Sequence, residues 1–305
     1  MSSNSERIAW LNEQYSPSRT AHDFEGSIRS YRAGTEAARA ALTGARHRVL
    51  AYGPRPAERI ECFLPLPHGA AGESGRSGGR RGAPIFAFLH GGWWQDLSID
   101  YAAAPAPAVV GAGAIWASIG YTLAPNVSLR EIVAEVSAAV ATLAAHAVDL
   151  GGDPSRIVLA GHSAGAHLAA MQLTALAAEA SRRSVAGLLL IGGAYDLAPI
   201  AESYVNEKVR MSAADAADLS PALLTPLHDV PVRVRVGEEE PEEFHRNAAL
   251  LVERWAPSLT AIDSSTLAGR DHFDALDELA DPRGGLFSDA LDLLGLPPQR
   301  TAVGR

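Results

Sequence analysis

The chain carries a serine in a setting typical of a nucleophile. Ser163 is the centre of the pentapeptide GHSAG, which stands between an apolar run, RIVLAG, and a helix-forming run, AHLAAMQLTALAAEA. A tight turn from a strand into a helix accepts only small residues beside the serine, pushes the hydroxyl out of the sheet and leaves the next main-chain N–H free. The pentapeptide and its neighbours therefore predict a nucleophile elbow with Ser163 at its apex.

A second motif has the composition needed to stabilise the negative charge that attack by a serine creates. The apolar run PIFAFL ends in His90, Gly91 and Gly92. Glycines let the main chain approach a ligand closely, and oxyanion donors lie about 2.7–3.1 Å from the developing charge. The amides of Gly91, Gly92 and Ala164 are therefore candidate oxyanion donors. The alternative is an ordinary glycine turn at the end of a strand. The GHSAG pentapeptide further along the chain favours the oxyanion interpretation over this alternative.

A serine hydroxyl needs an adjacent base to act as a nucleophile. His272 is the candidate base, because it lies in the polar turn GRDHFDAL between the last predicted strand and a helix. When the serine stands at a nucleophile elbow, the acid and then the base follow it along the chain. The base then lies in a loop at the carboxyl edge of the sheet. Asp271 and Asp274, which flank it, are predicted to be turn and helix-start residues.

The base in turn needs a carboxylate that orients it, and the sequence offers several. Glu238, Glu239 and Glu240 all follow the predicted strand PVRVRVG, and Asp196 follows the preceding strand as a fallback. Spacing alone does not choose among these glutamates. An acidic run before a helix also has an ordinary role, because it complements the positive end of the helix dipole.

Strands and helices that alternate along the chain have to position these residues. Apolar strands separated by amphipathic helices predict an α/β fold with a mainly parallel sheet covered on both faces. One helix is opened by a capping box, Ser128 with Glu131. The predicted strands are 47–53, 58–66, 84–89, 114–120, 156–161, 185–192, 231–237 and 258–264, and the predicted helices are 23–42, 128–147, the elbow helix, 242–255 and a final pair.

The sequence predicts a single domain, 1–305, with two segments outside the alternating strands and helices. Residues 1–47 are expected to form a cap-like N-terminal segment, and 195–230 an irregular insertion that is a second small cap element. The Gly/Arg/Ser-rich stretch 68–83 is predicted to be a mobile surface loop, because the sheet resumes directly after it.

Composition limits the possible partners and location. The 305 residues are 47% hydrophobic and 20% charged, and the formal net charge of −9 argues against nucleic acid or an anionic membrane as partner. A small-molecule substrate is expected, and a homodimer is possible. The single cysteine, Cys62, is predicted to be buried and excludes an intrachain disulfide. The chain lacks a basic start followed by an apolar block, so we expect a cytoplasmic protein.

The motifs resemble those of the kynurenine formamidase (arylformamidase) branch of the α/β-hydrolases. The motifs occur in the order HGGWW, YTLAP, GHSAGAHLAAM, YDLAPI, VNE, LSP, VGEEEPEEFHR and DHFDAL. The resemblance covers residues 52–279, and the opening segment around EQYSPS also resembles that family. The resemblance implies an α/β-hydrolase fold and hydrolysis of a small aryl formamide such as N-formylkynurenine. It assigns Ser163 as nucleophile, His272 as base and Glu240 as acid, because Glu240 stands four residues before Phe244 in that branch's acid-x-x-E-F pattern, although several members use Asp there.

Aromatic and polar residues near these motifs are predicted to line the substrate pocket. Trp93 and Trp94 follow the glycines, and a flat apolar wall suits an aromatic leaving group, although ordinary core packing is the alternative for both. Trp93 also departs from the family, which often has Tyr there. If the insertion and the N-terminal segment cap the cleft, Tyr195, Tyr204 and Asn206 line it as well.

Two other functions stay open. The chain is alternatively a carboxylesterase on short-chain or aryl esters without formamidase activity, or a catalytically inactive hydrolase-fold binding module. Inactive relatives typically lose the serine, the histidine or an oxyanion glycine, and this chain keeps all three. No H-x-x-x-H or H-E-x-x-H pairing is present, so no metal or other cofactor is predicted. Lys208, the only lysine, is predicted to be a solvated surface residue.

Overall fold

One eight-stranded sheet is the centre of the fold. The structure, a computed structural model, describes residues 4–66 and 82–298. Its strands are β1 (His47–Ala51), β2 (Arg59–Phe63), β3 (Ala83–Leu89), β4 (Ile115–Ile119), β5 (Gly152–His162), β6 (Val185–Ile191), β7 (Val232–Gly237) and β8 (Ile262–Leu267). They are ordered β1-β2-β4-β3-β5-β6-β7-β8, with antiparallel pairing at β1-β2 and β2-β4 and parallel pairing elsewhere. The prediction of a mainly parallel sheet is confirmed.

Helices cover both faces of this sheet. They are α1 (Asn4–Gln14), α2 (Phe24–Ala41), α3 (Ala106–Gly111), α4 (Leu129–His146), α5 (Ala164–Met171), α6 (Glu179–Ser184), α7 (Ala198–Ala201), α8 (Asn206–Val209), α9 (Ala213–Asp218), α10 (Glu242–Trp255), α11 (Asp277–Ala280) and α12 (Gly285–Leu294). Helices α4, α5 and α10 contribute to one buried cluster, and α2, α3 and α12 to the other. The architecture is that of an α/β-hydrolase, as the sequence predicts.

Alternation along the central strands divides the core into these two layers. In β3, Ile85, Ala87 and Leu89 belong to the first cluster, whereas Phe86 and Phe88 belong to the second. Successive side chains of a strand point to opposite faces, so a central strand buried on both sides has to be apolar throughout. That requirement explains the continuous apolar runs that identify the strands in the sequence.

The structure differs from the predicted elements at several places. Strand β5 begins at Gly152 instead of Arg156, and the short helices α1, α3, α6, α7, α8 and α9 were not predicted individually. The elbow helix ends at Met171, after which the main-chain N–H groups of Gln172, Leu173 and Thr174 donate three residues back instead of four. The last strand begins at Ile262 instead of near residue 258, since residues Ala256–Ser258 form a short 3-10 helix. The predicted mobile loop 68–83 lies largely outside the described residues, and Ala83 already belongs to β3.

The N-terminal segment lies against the insertion that follows β6. Arg7 pairs with Glu202 at 2.8 Å, the Tyr204 main-chain N–H donates to Asn12, and the Tyr204 hydroxyl donates to the Tyr15 carbonyl oxygen at 2.9 Å. Helix α1 therefore contacts the insertion directly. Among the residues that the structure describes, no helix combines the length and the apolar character needed to cross a membrane.

Candidate active site

Ser163 occupies a strained turn between β5 and α5. Its main chain has φ 56° and ψ −121°, in a region that residues with a side chain rarely adopt. The glycines on either side are required by close packing: a Cβ at Gly161 would lie 2.2 Å from the Gly165 carbonyl oxygen, and a Cβ at Gly165 would lie 2.1 Å from the Leu89 carbonyl oxygen. The GHSAG pentapeptide thus forms the sharp strand-to-helix turn that the sequence predicts.

Glu240 and His272 form a buried pair beside this turn. Nδ1 of His272 lies 2.6 Å from Oε2 of Glu240, and the other carboxylate oxygen accepts the Gly237 main-chain N–H at 2.7 Å. The exposed fraction of the side chain is 2% for His272 and 0% for Glu240. Because Nδ1 faces the carboxylate, Nε2 is the ring nitrogen left to accept a proton.

The other candidate acids have different partners. Glu238 accepts the Gly269 main-chain N–H at 2.7 Å, Glu239 pairs with His22 at 2.8 Å, and Asp196 pairs with Arg246 at 3.0 Å. Among the described residues, Glu240 is the one of the four that contacts His272. The glutamate in contact with His272 is thus the one that the family resemblance names.

Neighbouring groups hold the His272 turn in place. Nε2 of His162 lies 2.7 Å from the His272 carbonyl oxygen, and burial together with the nearby His272 ring lowers the pKa of His162 well below its ordinary value. His162 is therefore neutral near pH 7 and donates its Nε2 hydrogen to that carbonyl. The Asp271 carboxylate accepts the main-chain N–H groups of Phe273 and Asp274, which closes the turn as predicted.

Gly192 packs directly against the candidate acid and base. The sequence analysis did not name it as a site residue. A Cβ at this position would lie 3.0 Å from both carboxylate oxygens of Glu240 and from Nδ1 of His272. The residue follows β6 with φ +54°, a conformation that glycine adopts easily. Its place after a parallel strand was the only signal in the sequence.

The candidate oxyanion donors adjoin the serine. A Cβ at Gly91 would lie 3.1 Å from the Ser163 Cβ, and within the described part of the chain the amides of Gly91 and Gly92 donate to no main-chain oxygen. Ala164 is the first residue of α5, so its N–H has no partner within the helix. The three amides therefore remain candidate oxyanion donors, with Gly91 packed against Ser163 and Gly92 lining the same pocket.

The loop after these glycines is strained. Trp93 and Trp94 have φ values of 48° and 59°, in the left-handed region that disfavours side chains. The Ala124 main-chain N–H donates to the Trp94 carbonyl oxygen at 2.8 Å and ties the loop to the segment after β4. Unfavourable main-chain conformations of this kind persist where surrounding structure imposes them, and they concentrate at functional sites.

A pocket of about 290 Å³ opens at the serine. Ser163, His162 and His272 line it, together with Gly92 and Trp93. Much of the remaining wall comes from the N-terminal segment and the insertion, namely Pro17, Ser18, Phe24, Ile28, Tyr31 and Tyr204. The sequence analysis named Tyr204 and expected the N-terminal segment to cap the cleft, but it did not name these five N-terminal residues.

Trp94 does not line the pocket, contrary to the prediction. Its side chain is fully buried and packs edge-on against His167, with ring centroids 5.0 Å apart. The reason is the direction of the strained loop, which turns Trp93 towards the pocket and Trp94 into the core. Core packing was the alternative for both tryptophans, and it applies to Trp94.

Tyr195 and Asn206 also lie away from the pocket lining. Tyr195 is fully buried, and its hydroxyl lies over Gly193, where a Cβ would approach it to 2.2 Å. The Asn206 amide stabilises its own loop, because it donates to the Ala201 and Met211 carbonyl oxygens and accepts the Met211 N–H. The insertion folds back on itself with short helices, so only Tyr204 of the three reaches the pocket.

Comparisons with known proteins show similarity to hydrolases in sequence and in fold. A sequence profile of the alpha/beta hydrolase fold family matches residues 86–235. The chain is 28% identical over 297 residues to kynurenine formamidase of Danio rerio, covering 93% of this chain and 96% of that protein. A crystal structure of a putative thioesterase from a Silicibacter species superposes with a TM-score of 0.79 at 29% identity, covering 91% and 97% of the two chains. An esterase from Pyrobaculum calidifontis superposes with a TM-score of 0.65 at 19% identity, covering 90% and 94%, and supports the fold alone.

The chain is therefore an enzyme with the α/β-hydrolase fold. Among proteins of this fold its sequence resembles the kynurenine formamidases over nearly the whole length of both chains, which confirms the resemblance that the motifs indicated.

Proposed function

We propose that this enzyme hydrolyses small aryl formamides of the N-formylkynurenine kind through an acyl-serine intermediate. The observation that carries the proposal is the 2.6 Å contact of Glu240 with His272, which lines the same pocket as Ser163. The 28% identity to a kynurenine formamidase over 93% of the chain supports the choice of substrate class.

In the proposed mechanism these groups act in a fixed order. Oγ of Ser163 attacks the formyl carbon while its proton passes to Nε2 of His272, and Glu240 stabilises the imidazolium that results. The amides of Gly91, Gly92 and Ala164 stabilise the oxyanion. Collapse of this intermediate breaks the C–N bond, and the proton on Nε2 moves to the departing aryl amine.

The same groups then act on the formyl-serine. A water molecule gives a proton to Nε2 of His272 and attacks the formyl carbon, and the second tetrahedral intermediate releases formate and returns the proton to Oγ of Ser163.

The pocket wall suits an aromatic leaving group. Trp93 packs edge-on against Tyr15 with centroids 5.9 Å apart and lies 6.1 Å from Phe244, and Phe24 packs against Phe273 at 4.8 Å. Aromatic rings that are fixed by their neighbours provide flat apolar surfaces, against which the ring of an aromatic substrate can stack.

A carboxylesterase without formamidase activity is the second candidate, because the pocket is largely apolar and a structure described as a putative thioesterase is 29% identical. The test is turnover of N-formylkynurenine beside p-nitrophenyl acetate. Turnover of the ester alone would favour the esterase.

The serine mechanism is tested with Ser163→Ala, which should lower kcat by about 10⁴-fold or more on any substrate that is turned over. Ser155→Ala is the matched control, since Ser155 is exposed at the opposite end of the same strand. Retained turnover in the Ser163 variant would remove the nucleophile assignment, and absence of turnover in the wild type would support an inactive binding module.

A further inference from the structure

His22 lies between the two loops that carry the candidate acid and base. Its Nε2 is 2.8 Å from Oε2 of Glu239, in the loop after β7, and its Nδ1 is 3.0 Å from Oδ2 of Asp274, in the loop after β8. Its main-chain N–H also donates to Oδ2 of Asp271 at 2.5 Å. One residue of the N-terminal segment thus contacts both loops.

The three carboxylates adjoin the reacting groups in sequence. Glu239 immediately precedes Glu240, and Asp271 and Asp274 lie on either side of His272. A movement of either loop at these positions would change the contact between Glu240 and His272. Misplacement of a reacting group by about 1 Å costs about 10²-fold in rate.

The contacts of the His22 ring require its charged form. Both ring nitrogens lie within hydrogen-bond distance of a carboxylate oxygen, and a carboxylate only accepts, so both nitrogens have to carry hydrogen. Without that positive charge, the negative charges on the two loops would repel one another. These charges belong to Glu239, Asp271 and Asp274.

His22 also connects this arrangement to the pocket. Phe24, two residues later, lines the pocket and packs against Phe273, and the Tyr31 hydroxyl of the same segment donates to the Phe273 carbonyl oxygen. Release of His22 would therefore loosen the pocket wall as well as the two loops.

We propose that protonated His22 is a positioning residue, which holds the Glu240 loop and the His272 loop in register and fixes the N-terminal segment over the pocket. The inference rests on the proposed serine hydrolase mechanism. It makes catalysis depend on the protonation of a residue that touches no substrate.

The pH range of the effect follows from the surroundings of His22. Hydrogen bonds to Glu239 and Asp274, with the nearby charge of Asp271, raise the pKa of His22 from 6.5 to about 8. A raised pKa means that the contribution is complete below about pH 6.5 and disappears as the pH rises through about 8. The ion pairs are partly exposed, the His22 side chain to 47%, so salt should weaken them.

The test compares wild type with His22→Gln, which keeps a hydrogen-bonding side chain without the charge. His146→Gln is the matched control, because His146 is also exposed and lies 3.6 Å from a single carboxylate, Asp149, after α4. We expect His22→Gln to lower kcat/KM by about tenfold at pH 6.5. The ratio of wild type to variant should fall towards 1 above pH 9, and the His146 variant should match wild type throughout.

A second variant and a spectroscopic measurement guard against a folding defect. His22→Arg keeps a positive charge at all these pH values, so it should recover most of the activity and lose the decline near pH 8. The His22 ring signals in an NMR titration of the wild-type protein should change with a pKa near 8.

A ratio that stays constant with pH, or a His22→Gln variant as active as wild type, would overturn the proposal. One side-chain nitrogen or oxygen atom from each of His22, Asp271 and Asp274 lies within 4.8 Å of the others, which is close enough to bind a metal ion together. The assays are therefore run with and without EDTA. Loss of wild-type activity in EDTA that Zn²⁺ restores would make the cluster a metal site and overturn the inference too. These outcomes differ from failure of the proposed function, in which wild type turns over neither substrate.

Discussion

The imidazole of His272 is held by the carboxylate of Glu240 in a site from which water is almost excluded. Nδ1 and Oε2 are 2.6 Å apart, and both side chains are at most 2% exposed. In such surroundings a charge-assisted hydrogen bond is stronger than in water, and it fixes both the tautomer and the orientation of the ring. The pair therefore decides which nitrogen faces the pocket.

Replacement of Glu240 by Gln should impair catalysis severely. Glutamine is neutral, so it cannot stabilise the imidazolium, and we expect kcat to fall by about 10³-fold or more. Glu238→Gln is the matched control, because Glu238 accepts a main-chain N–H from Gly269 and does not contact His272. Its kcat should stay within about threefold of wild type. The opposite ranking of the two variants in steady-state assays would move the acid assignment.

The sequence was sufficient for the parts of the site that depend on local geometry. The turn at Ser163 could be predicted because Gly161 and Gly165 lie where any Cβ would collide with the main chain, so the motif and the turn are inseparable. Helix α10 was predicted with its observed bounds, Glu242–Trp255, because its apolar side chains repeat with the helical period.

Long-range contacts could not be predicted from spacing. Glu240 is chosen over Glu238 and Glu239 because the turn after β7 folds so that Gly237 donates to it, a detail of one tight turn. The N-terminal segment was expected to cap the cleft, but the residues with which it lines the pocket were not named, since they are separated from Ser163 by more than a hundred residues of chain. No local pattern records which distant surface a helix such as α2 will cover.

Trp93 and Trp94 should respond differently to truncation, because one faces the pocket and the other the core. Trp93→Ala should raise KM for aryl substrates by about tenfold through the loss of one aromatic wall, with a small change in stability. Trp94→Ala should lower the free energy of unfolding by about 3–5 kcal/mol, since the side chain is fully buried. Urea unfolding and steady-state kinetics on both variants provide the measurement, and equal effects on KM would contradict the assignment.

A charged pair at the mouth of the pocket should discriminate between amino-acid and neutral substrates. Asp96 lines the pocket, and Nζ of Lys208 lies 3.9 Å from its Oδ1. The two opposite charges match the ammonium and carboxylate groups of an amino-acid leaving group such as kynurenine. Lys208→Ala should raise KM for N-formylkynurenine by about three- to tenfold and leave KM for p-nitrophenyl acetate unchanged, because exposed charge pairs contribute about 1 kcal/mol.

Arg183→Ala is the control for the Lys208 variant, since Arg183 is exposed and pairs with Glu179 on α6, outside this pocket. A KM that rises equally for both substrates would show that Lys208 acts on the shape of the pocket and not through its charge.

Two buried histidines should make the fold sensitive to acid. Burial lowers the pKa of His90 and of His167 from 6.5 to about 4 in each case. Because these folded-state values lie below the unfolded value, the unfolded chain binds protons first as the pH falls. The stability that the neutral rings provide is therefore complete above about pH 6.5 and is lost as the pH falls towards about 4. Each ring should account for up to about 3 kcal/mol of this loss.

His167 offers the cleaner test of that loss. Its Nε2 bonds to the Leu219 carbonyl oxygen at 2.8 Å, and the side-chain amide of Gln can donate to the same acceptor without titrating. His167→Gln should therefore flatten the fall in the free energy of unfolding between pH 6.5 and 4.5, measured by urea denaturation, relative to wild type. Titrating carboxylates contribute equally to both proteins and cancel in the difference. Parallel curves for the two proteins would mean that His167 takes up its proton in the folded state, against the effect of its burial.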